Sequence, residues 1–252
     1  MPIRAVVWDV DDTLFDYANA DTAGMHAHLT AEGLIAQYGD AEQGLARWKA
    51  CTERHWARFS QGLADFETQR RDRVREFLAA DDLPDDEADA WFHRYLGHYE
   101  SAWSLFPDTV PALDALADGY RHAVLSNSAA RNQEYKLRTL GVRDRFEALL
   151  CAAELGVSKP AAEAFLAVCR ELALEPAEVA YVGDQPEIDA RGAHDAGLLG
   201  IWLDRGRGTG PGEGASAADP ELPAGVRRIA SLAELPALLA ADTRFGAPST
   251  FG

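Results

Sequence analysis

In AVVWDVDDTLFD, Ala5 to Asp16, an apolar run gives way to Asp9, Asp11 and Asp12. Three carboxylates in four residues repel one another where a buried strand is expected to stop. Other apolar runs also end in polar groups. HAVL is followed by Ser126 and Asn127, ALLCAAELGV by Ser158 and Lys159, and VAYVG by Asp184, with Asp189 beyond it. Together these are carboxylates, a hydroxyl and an amine. Asp9 and Asp11 share a side if strand geometry persists, and two carboxylates so close need a counter-ion. A hard divalent cation is the simplest answer. Mg²⁺ takes one or two carboxylates, waters and a substrate phosphate. With the cation and Lys159 in place, an anion-repelling cluster becomes an anion receptor.

These residues meet only if the runs are parallel strands ending on one edge of a sheet, where open α/β folds bind ligands. Short apolar runs at Ile3–Val10, His122–Leu125, Ala148–Ala152, Val179–Val182, Leu199–Leu203 and Val226–Ile229 read as buried strands. Helical periodicity falls between most of them, at Val110–Asp118, Ala130–Leu140, Ala161–Leu172, Glu187–Ala196 and Leu232–Ala240. The alternation predicts an α/β fold, a doubly wound parallel sheet with helices on both faces.

One interval breaks the rhythm. From 16 to 103 there is no strand pattern, only amphipathic stretches at 16–37, 40–62, 66–80 and 85–102, divided at Gly39-Asp40 and Leu83-Pro84-Asp85. We expect a helical domain here, inserted into a discontinuous α/β core of residues 1–15 and 104–252. Trp48, Trp56, Trp91 and Trp103 are expected to pack inside it. His26 and His28 read as exposed or packed within it, and Arg70, Arg71, Arg73 and Arg75 as a solvated helix face paired with local acids. The Gly- and Pro-rich 205–225 reads as a mobile loop, and 242–252 as a poorly ordered tail. GRGTG in that loop lacks the Lys-Ser/Thr ending of a phosphate-binding P-loop.

Composition narrows the partners. The 252 residues carry 24 basic and 41 acidic side chains, a net charge of -17, with 47% hydrophobic content. Such a surface disfavours nucleic-acid polymers and anionic membranes but leaves room for a small anion in one cleft. The start of the chain reads directly as a core strand, so we expect no secretory leader and a cytoplasmic location. Cys51, Cys151 and Cys169 are too few and too scattered for a disulfide framework or a Cys-based metal site. A monomer or homodimer is expected.

DVDDT at Asp9–Thr13, Ser126-Asn127, Lys159-Pro160 and GDQPEID at Gly183–Asp189 occur in this order, each at a predicted strand end. In this the chain resembles the haloacid dehalogenase-like hydrolase superfamily. The helical insert after the first motif resembles that superfamily's first type of α-helical cap, which implies closure over substrate, with Leu14–Ala23 as hinge. The resemblance implies that Asp9 is the nucleophile and Asp11 the acid and then base. It implies that Ser126 bonds a phosphoryl oxygen and that Lys159 neutralises charge. Asp184 would ligate Mg²⁺ with Asp9 and the backbone carbonyl of Asp11, supported by Asp189. Thr13 would orient the loop and Asn127 donate to the phosphate. The dehalogenases proper lack an acid at the position of Asp11, so the chain looks like a phosphatase. Asp12 stands where many members have Gly. The opening DDTLFDY resembles nucleotide and acylneuraminate-9-phosphate phosphatases, and other small phosphorylated metabolites stay open as substrates. A β-phosphoglucomutase-like mutase, or a binding protein without turnover, would use the same core.

Overall fold

A computed structural model describes residues 1–206 and 221–241; most of the 205–225 loop and the tail at 242–252 lie outside the described residues. Along the chain β1 (Ala5–Trp8) is followed by four helices, α1 (Tyr17–Ala31), α2 (Ala41–Ser60), α3 (Phe66–Leu78) and α4 (Asp85–Ser101). Then come α5 (Thr109–Leu116), β2 (Arg121–Ser126), α6 (Ala130–Thr139), β3 (Ala148–Cys151), α7 (Ala152–Leu155), α8 (Ala162–Glu171) and β4 (Val179–Gly183). A π-helical turn, Pro186–Arg191, leads into α9 (Gly192–Asp195), followed by β5 (Leu199–Leu203), β6 (Arg227–Ile229) and α10 (Leu235–Ala241). Among the described residues no helix is long and apolar enough to cross a membrane.

The strands form one parallel sheet in the order β3-β2-β1-β4-β5-β6. Central strands read as unbroken apolar runs because helices cover both faces, and every residue of β1, β4 and β5 is buried. Register aligns Val7 with Ala123 on β2 and with Tyr181 on β4. Val7, Leu125, Phe165, Val168 and Tyr181 share one core cluster. A side chain of this kind contributes roughly 1.5–3 kcal/mol on full burial. The order of strand succession reverses at the β1/β4 pair, and because the strands are parallel the loops leaving β1, β2 and β4 open onto one edge.

The described residues separate into two compact units: 1–16 with 104–206 and 221–241, and Tyr17–Trp103. The second is a four-helix unit around Trp48, which is fully buried against Phe77, Trp91, Phe92 and Tyr95. Asp40 and Asp65 cap α2 and α3, accepting from the Gln43 and Thr68 amides at 2.7 Å each. Buried Asp21 accepts from Trp48 Nε1 at 3.3 Å and Tyr95 Oη at 2.7 Å.

The arginine cluster of α3 divides. Arg71 and Arg75 pair with Asp85, Asp89 and Asp72, as a solvated face would. Arg70 and Arg73 instead lie over aromatic rings, Arg70 at 4.1 Å from the Phe92 centroid and Arg73 at 4.7 Å from that of Trp48. Helical spacing explains the split, since 70 and 73 share the inward side and 71 and 75 the outer one.

His28 is fully buried, edge-on to Trp91 at 4.4 Å, and neither ring nitrogen has a protein partner. Burial lowers its pKa to about 4; Glu32 opposes this, while His98 and Arg94 add to it. An unfolded histidine titrates near 6.5, so between these values the unfolded chain binds a proton that the folded one refuses. Stability is therefore full above about pH 6.5 and lost as pH falls toward about 4, by about 2 kcal/mol at pH 5. Denaturant titrations at pH 7 and 5 should show His28→Leu losing less than the parent. Equal losses in both proteins would refute it.

Candidate active site

The loop leaving β1 is a tight turn closed on Val10. The Val10 carbonyl accepts from the amides of Thr13, Leu14 and Phe15 at 3.3, 2.9 and 3.0 Å. Asp12 lies at φ 58, in the left-handed region, which explains why glycine is common there and why Asp, unlike a branched residue, tolerates it. Arg205, ion-paired with Asp108, donates to the Thr13 carbonyl at 2.9 Å and braces the turn from beyond β5.

Asp9 is 6% exposed, and its amide still donates to Val182 on β4, at 2.9 Å. Its two carboxylate oxygens have different partners. Lys159 Nζ donates to Oδ1 at 2.7 Å and Thr13 Oγ1 to Oδ2 at 3.1 Å. The Lys159 ammonium also reaches Asp189 Oδ1 and Tyr181 Oη at 2.7 Å each. Three donors thus meet three acceptors in a buried pocket. Asn127 clamps the Lys159 backbone, its Nδ2 donating to the carbonyl at 3.0 Å and its Oδ1 accepting from the amide at 2.8 Å. The Asn127 side chain is therefore turned to Lys159.

Asp189 comes close because residue 183 is glycine. A Cβ there would sit 2.3 Å from Asp189 Cγ. The expected α-helix at 187–196 opens instead as the π-helical turn, a rare geometry that recurs at functional sites. Asp9, Asp184 and Asp189 each offer an oxygen, all within 4.8 Å of one another. Asp184 Oδ1 is buried without a hydrogen-bond partner. Burial, then the charges of Asp189, Asp9 and Asp12, hold the Asp184 carboxyl well above the usual range. Burial also lifts Asp9 to about 7, against the pull of Lys159. For Lys159, burial works to lower the pKa, but Asp189 and Asp9 together hold it well above the ordinary lysine value. One orphaned carboxylate oxygen inside an under-compensated acidic cluster fits a hard cation such as Mg²⁺.

The Asp11 carboxylate does not join this cluster, contrary to the period-two expectation. The strand ends at Trp8, and the turn on Val10 carries the side chain to α6. There Gln133 Nε2 donates to Oδ2 at 2.8 Å and Lys136 Nζ pairs with Oδ1. Gln133 Nε2 also donates to Ser126 Oγ, at 3.1 Å, so one amide spans the hydroxyl ending β2 and the Asp11 carboxylate. Gln133, Lys136 and Tyr181 were not anticipated from sequence. A signal existed for the first two: polar residues at a three-residue spacing, adjoining Leu137 on the buried stripe of α6. Tyr181 is masked by the apolar run around it.

The haloacid dehalogenase-like hydrolase family profile matches residues 3–197. The chain belongs to this family. Among relatives of this hydrolase is the glyceraldehyde 3-phosphate phosphatase of Methanopyrus kandleri, 26% identical over 221 residues, covering 81% of this chain and 85% of that one. Another is the phosphoserine phosphatase of Thermus thermophilus, 29% identical over 256 residues, 92% of this chain and 99% of that one. The fold of the hydrolase is also that of the 2-haloacid dehalogenase from Pseudomonas syringae pv. Tomato, with a TM-score of 0.66 and 26% identity over 94% of this chain and 98% of that one.

Proposed function

We propose that this hydrolase cleaves a small phosphate monoester through a covalent intermediate on Asp9. The observation that carries the reading is the division of labour between carboxylates. Asp9 is held by Lys159 beside the unsatisfied Asp184, while Asp11 is held separately. The dehalogenases proper lack an acid at the position of Asp11, so it is the second feature that favours a phosphate ester. An acid poised beside the nucleophile serves a leaving group that must be protonated, as an alkoxide must.

In the first step an Asp9 oxygen attacks phosphorus, the bond to the leaving oxygen breaks, and Asp11 gives that oxygen a proton. In the second, Asp11 takes a proton from water, which attacks the aspartyl-phosphate and releases inorganic phosphate and Asp9. Lys159 offsets negative charge on Asp9 and the transferring group, and Ser126 donates to a phosphoryl oxygen. Thr13 holds Asp9 in its rotamer. Asn127 acts through the Lys159 backbone, leaving its own amide N–H for the phosphate. Asp9, Asp184 and the Asp11 backbone carbonyl would hold Mg²⁺, with Asp189 fixing Lys159. When bound, the cation supplies positive charge that favours ionised carboxylates and an anionic substrate. The helical unit Tyr17–Trp103 is read as the family's cap, and the substrate as a small phosphorylated metabolite.

The test is phosphate release from sugar, nucleotide and hydroxy-acid phosphate monoesters, with Mg²⁺ and with EDTA. Release that requires Mg²⁺ is expected. Transfer of the phosphoryl group between positions of a sugar phosphate without release would point to a mutase, and inertness of folded protein toward all esters would refute the proposal.

A further inference from the structure

We infer that Gln133 and Lys136 are positioning residues that set the Asp11 carboxylate for proton transfer to the leaving group, an inference that rests on the reading above. Both stand on α6, which starts four residues after β2. Gln133 is fully buried and Lys136 is 7% exposed. Lysine is rarely so buried, and this one is seated with its ammonium 4.4 Å from the centroid of the Phe15 ring, in the same turn that carries Asp11. Between them the two side chains engage both Asp11 oxygens.

The arrangement answers a need that the turn itself creates. Asp11 follows the end of β1, so strand pairing does not fix its side chain, which is 34% exposed. A carboxylate left to rotate on such a turn spends little time in any one orientation. Two donors from a rigid helix restrict it to one. Gln133 adds a coupling, because its amide nitrogen contacts Ser126 Oγ as well. A phosphoryl oxygen on Ser126 and the acid that serves its ester are then registered by one side chain. As the base of the second step Asp11 is ionised and accepts at both oxygens, so the amide must present its nitrogen and the lysine cannot be replaced by an acceptor. As the acid of the first step it carries the proton on one oxygen and is held by the donor on the other.

The consequence is selective. Proton donation matters when the leaving group is a poor one, such as an alkoxide, and matters little for p-nitrophenolate, which leaves without a proton. kcat/KM reports the steps through loss of the leaving group. Lys136→Met and Gln133→Leu should each lower kcat/KM for the best alkyl monoester of the panel by about 100-fold, the scale of a misplaced catalytic group. For p-nitrophenyl phosphate the loss should stay below about 5-fold, with KM for the alkyl ester within about 3-fold of the parent. Lys136→Arg, which keeps the cation and the donor, should recover much of the alkyl-ester rate. Residual p-nitrophenyl phosphate turnover shows that each variant is folded.

Equal losses on both esters would mean that the two side chains hold the phosphate or the fold, and would overturn the inference. So would unchanged or faster alkyl-ester cleavage, which would mean that Lys136 merely stores Asp11 away from the reaction. If the parent enzyme cleaves neither ester, the phosphatase reading itself fails, and this inference with it.

Discussion

Asp9→Asn should be catalytically dead by ordinary assay and Lys159→Met strongly impaired, and the two should differ sharply in stability. Asn cannot act as the nucleophile, and we expect at least about 10⁴-fold lower phosphate release, since the covalent route is closed. Lys159→Met keeps the proposed nucleophile but loses the cation that faces it; removing one such preorganised charge costs on the order of 10²–10³ in rate. Stability follows from what each substitution leaves behind. In Asp9→Asn the ammonium still has Asp189 and Tyr181 at 2.7 Å each, so no buried charge is stranded. One carboxylate has also left an acidic cluster, and thermal unfolding should occur at or above the parental temperature. In Lys159→Met, Asp9 and Asp189 face an apolar side chain within a buried site. Breaking a buried pair from one side costs about 3–5 kcal/mol. Arginine should not substitute, because a planar fork does not fit a three-acceptor point site built for an ammonium. Thermal unfolding and single-turnover phosphate release on the same preparations check both halves. A Lys159→Met protein as stable as its parent would show that the ion-pair geometry is not what holds the pocket.

The sheet was legible because its strands are buried on both faces and so appear as apolar runs with sharp polar ends. Asp9, Ser126, Lys159 and Asp184 announce themselves as those polar ends, and the fold brings them to one edge. Tertiary detail was not legible. The destination of the Asp11 side chain depends on a turn whose hydrogen bonds all run to one carbonyl, a feature without a sequence period. Gln133 and Lys136 look like ordinary polar residues of a short helix until α6 packs against that turn. Tyr181 is hidden for the opposite reason. It fills a strand position where an aromatic is unremarkable, yet its hydroxyl accepts from Lys159 and donates to the Leu125 carbonyl at 3.0 Å. The π-helical turn at 186 was equally out of reach, because proline and an acidic residue also open an α-helix.

Asp184→Asn should separate metal binding from every other property of the site. In the parent, Asp184 Oδ1 is buried and unpartnered, and burial with three neighbouring carboxylates holds the group well above its usual pKa. The metal-free protein therefore bears an electrostatic cost that a bound divalent cation would remove. A cation that binds only the folded state at about 100 times its Kd stabilises by about 2.7 kcal/mol. For a chain of this size that is a rise of roughly 5–10 °C in the unfolding temperature of the parent on adding Mg²⁺. The Asn variant keeps the shape but loses a charge and a strong oxygen ligand. Its metal-free form should be at least as stable as the parent, because like-charge repulsion is relieved. Its Mg²⁺-induced rise should shrink to a degree or two, and phosphate release should fall by 10²-fold or more. The thermal shift is read without substrate, so it is independent of the mechanism proposed above. A full Mg²⁺ shift in Asp184→Asn would place the cation elsewhere. A parent protein indifferent to Mg²⁺ would mean that Lys159 alone balances Asp9 and Asp189, and that Asp184 remains protonated at neutral pH.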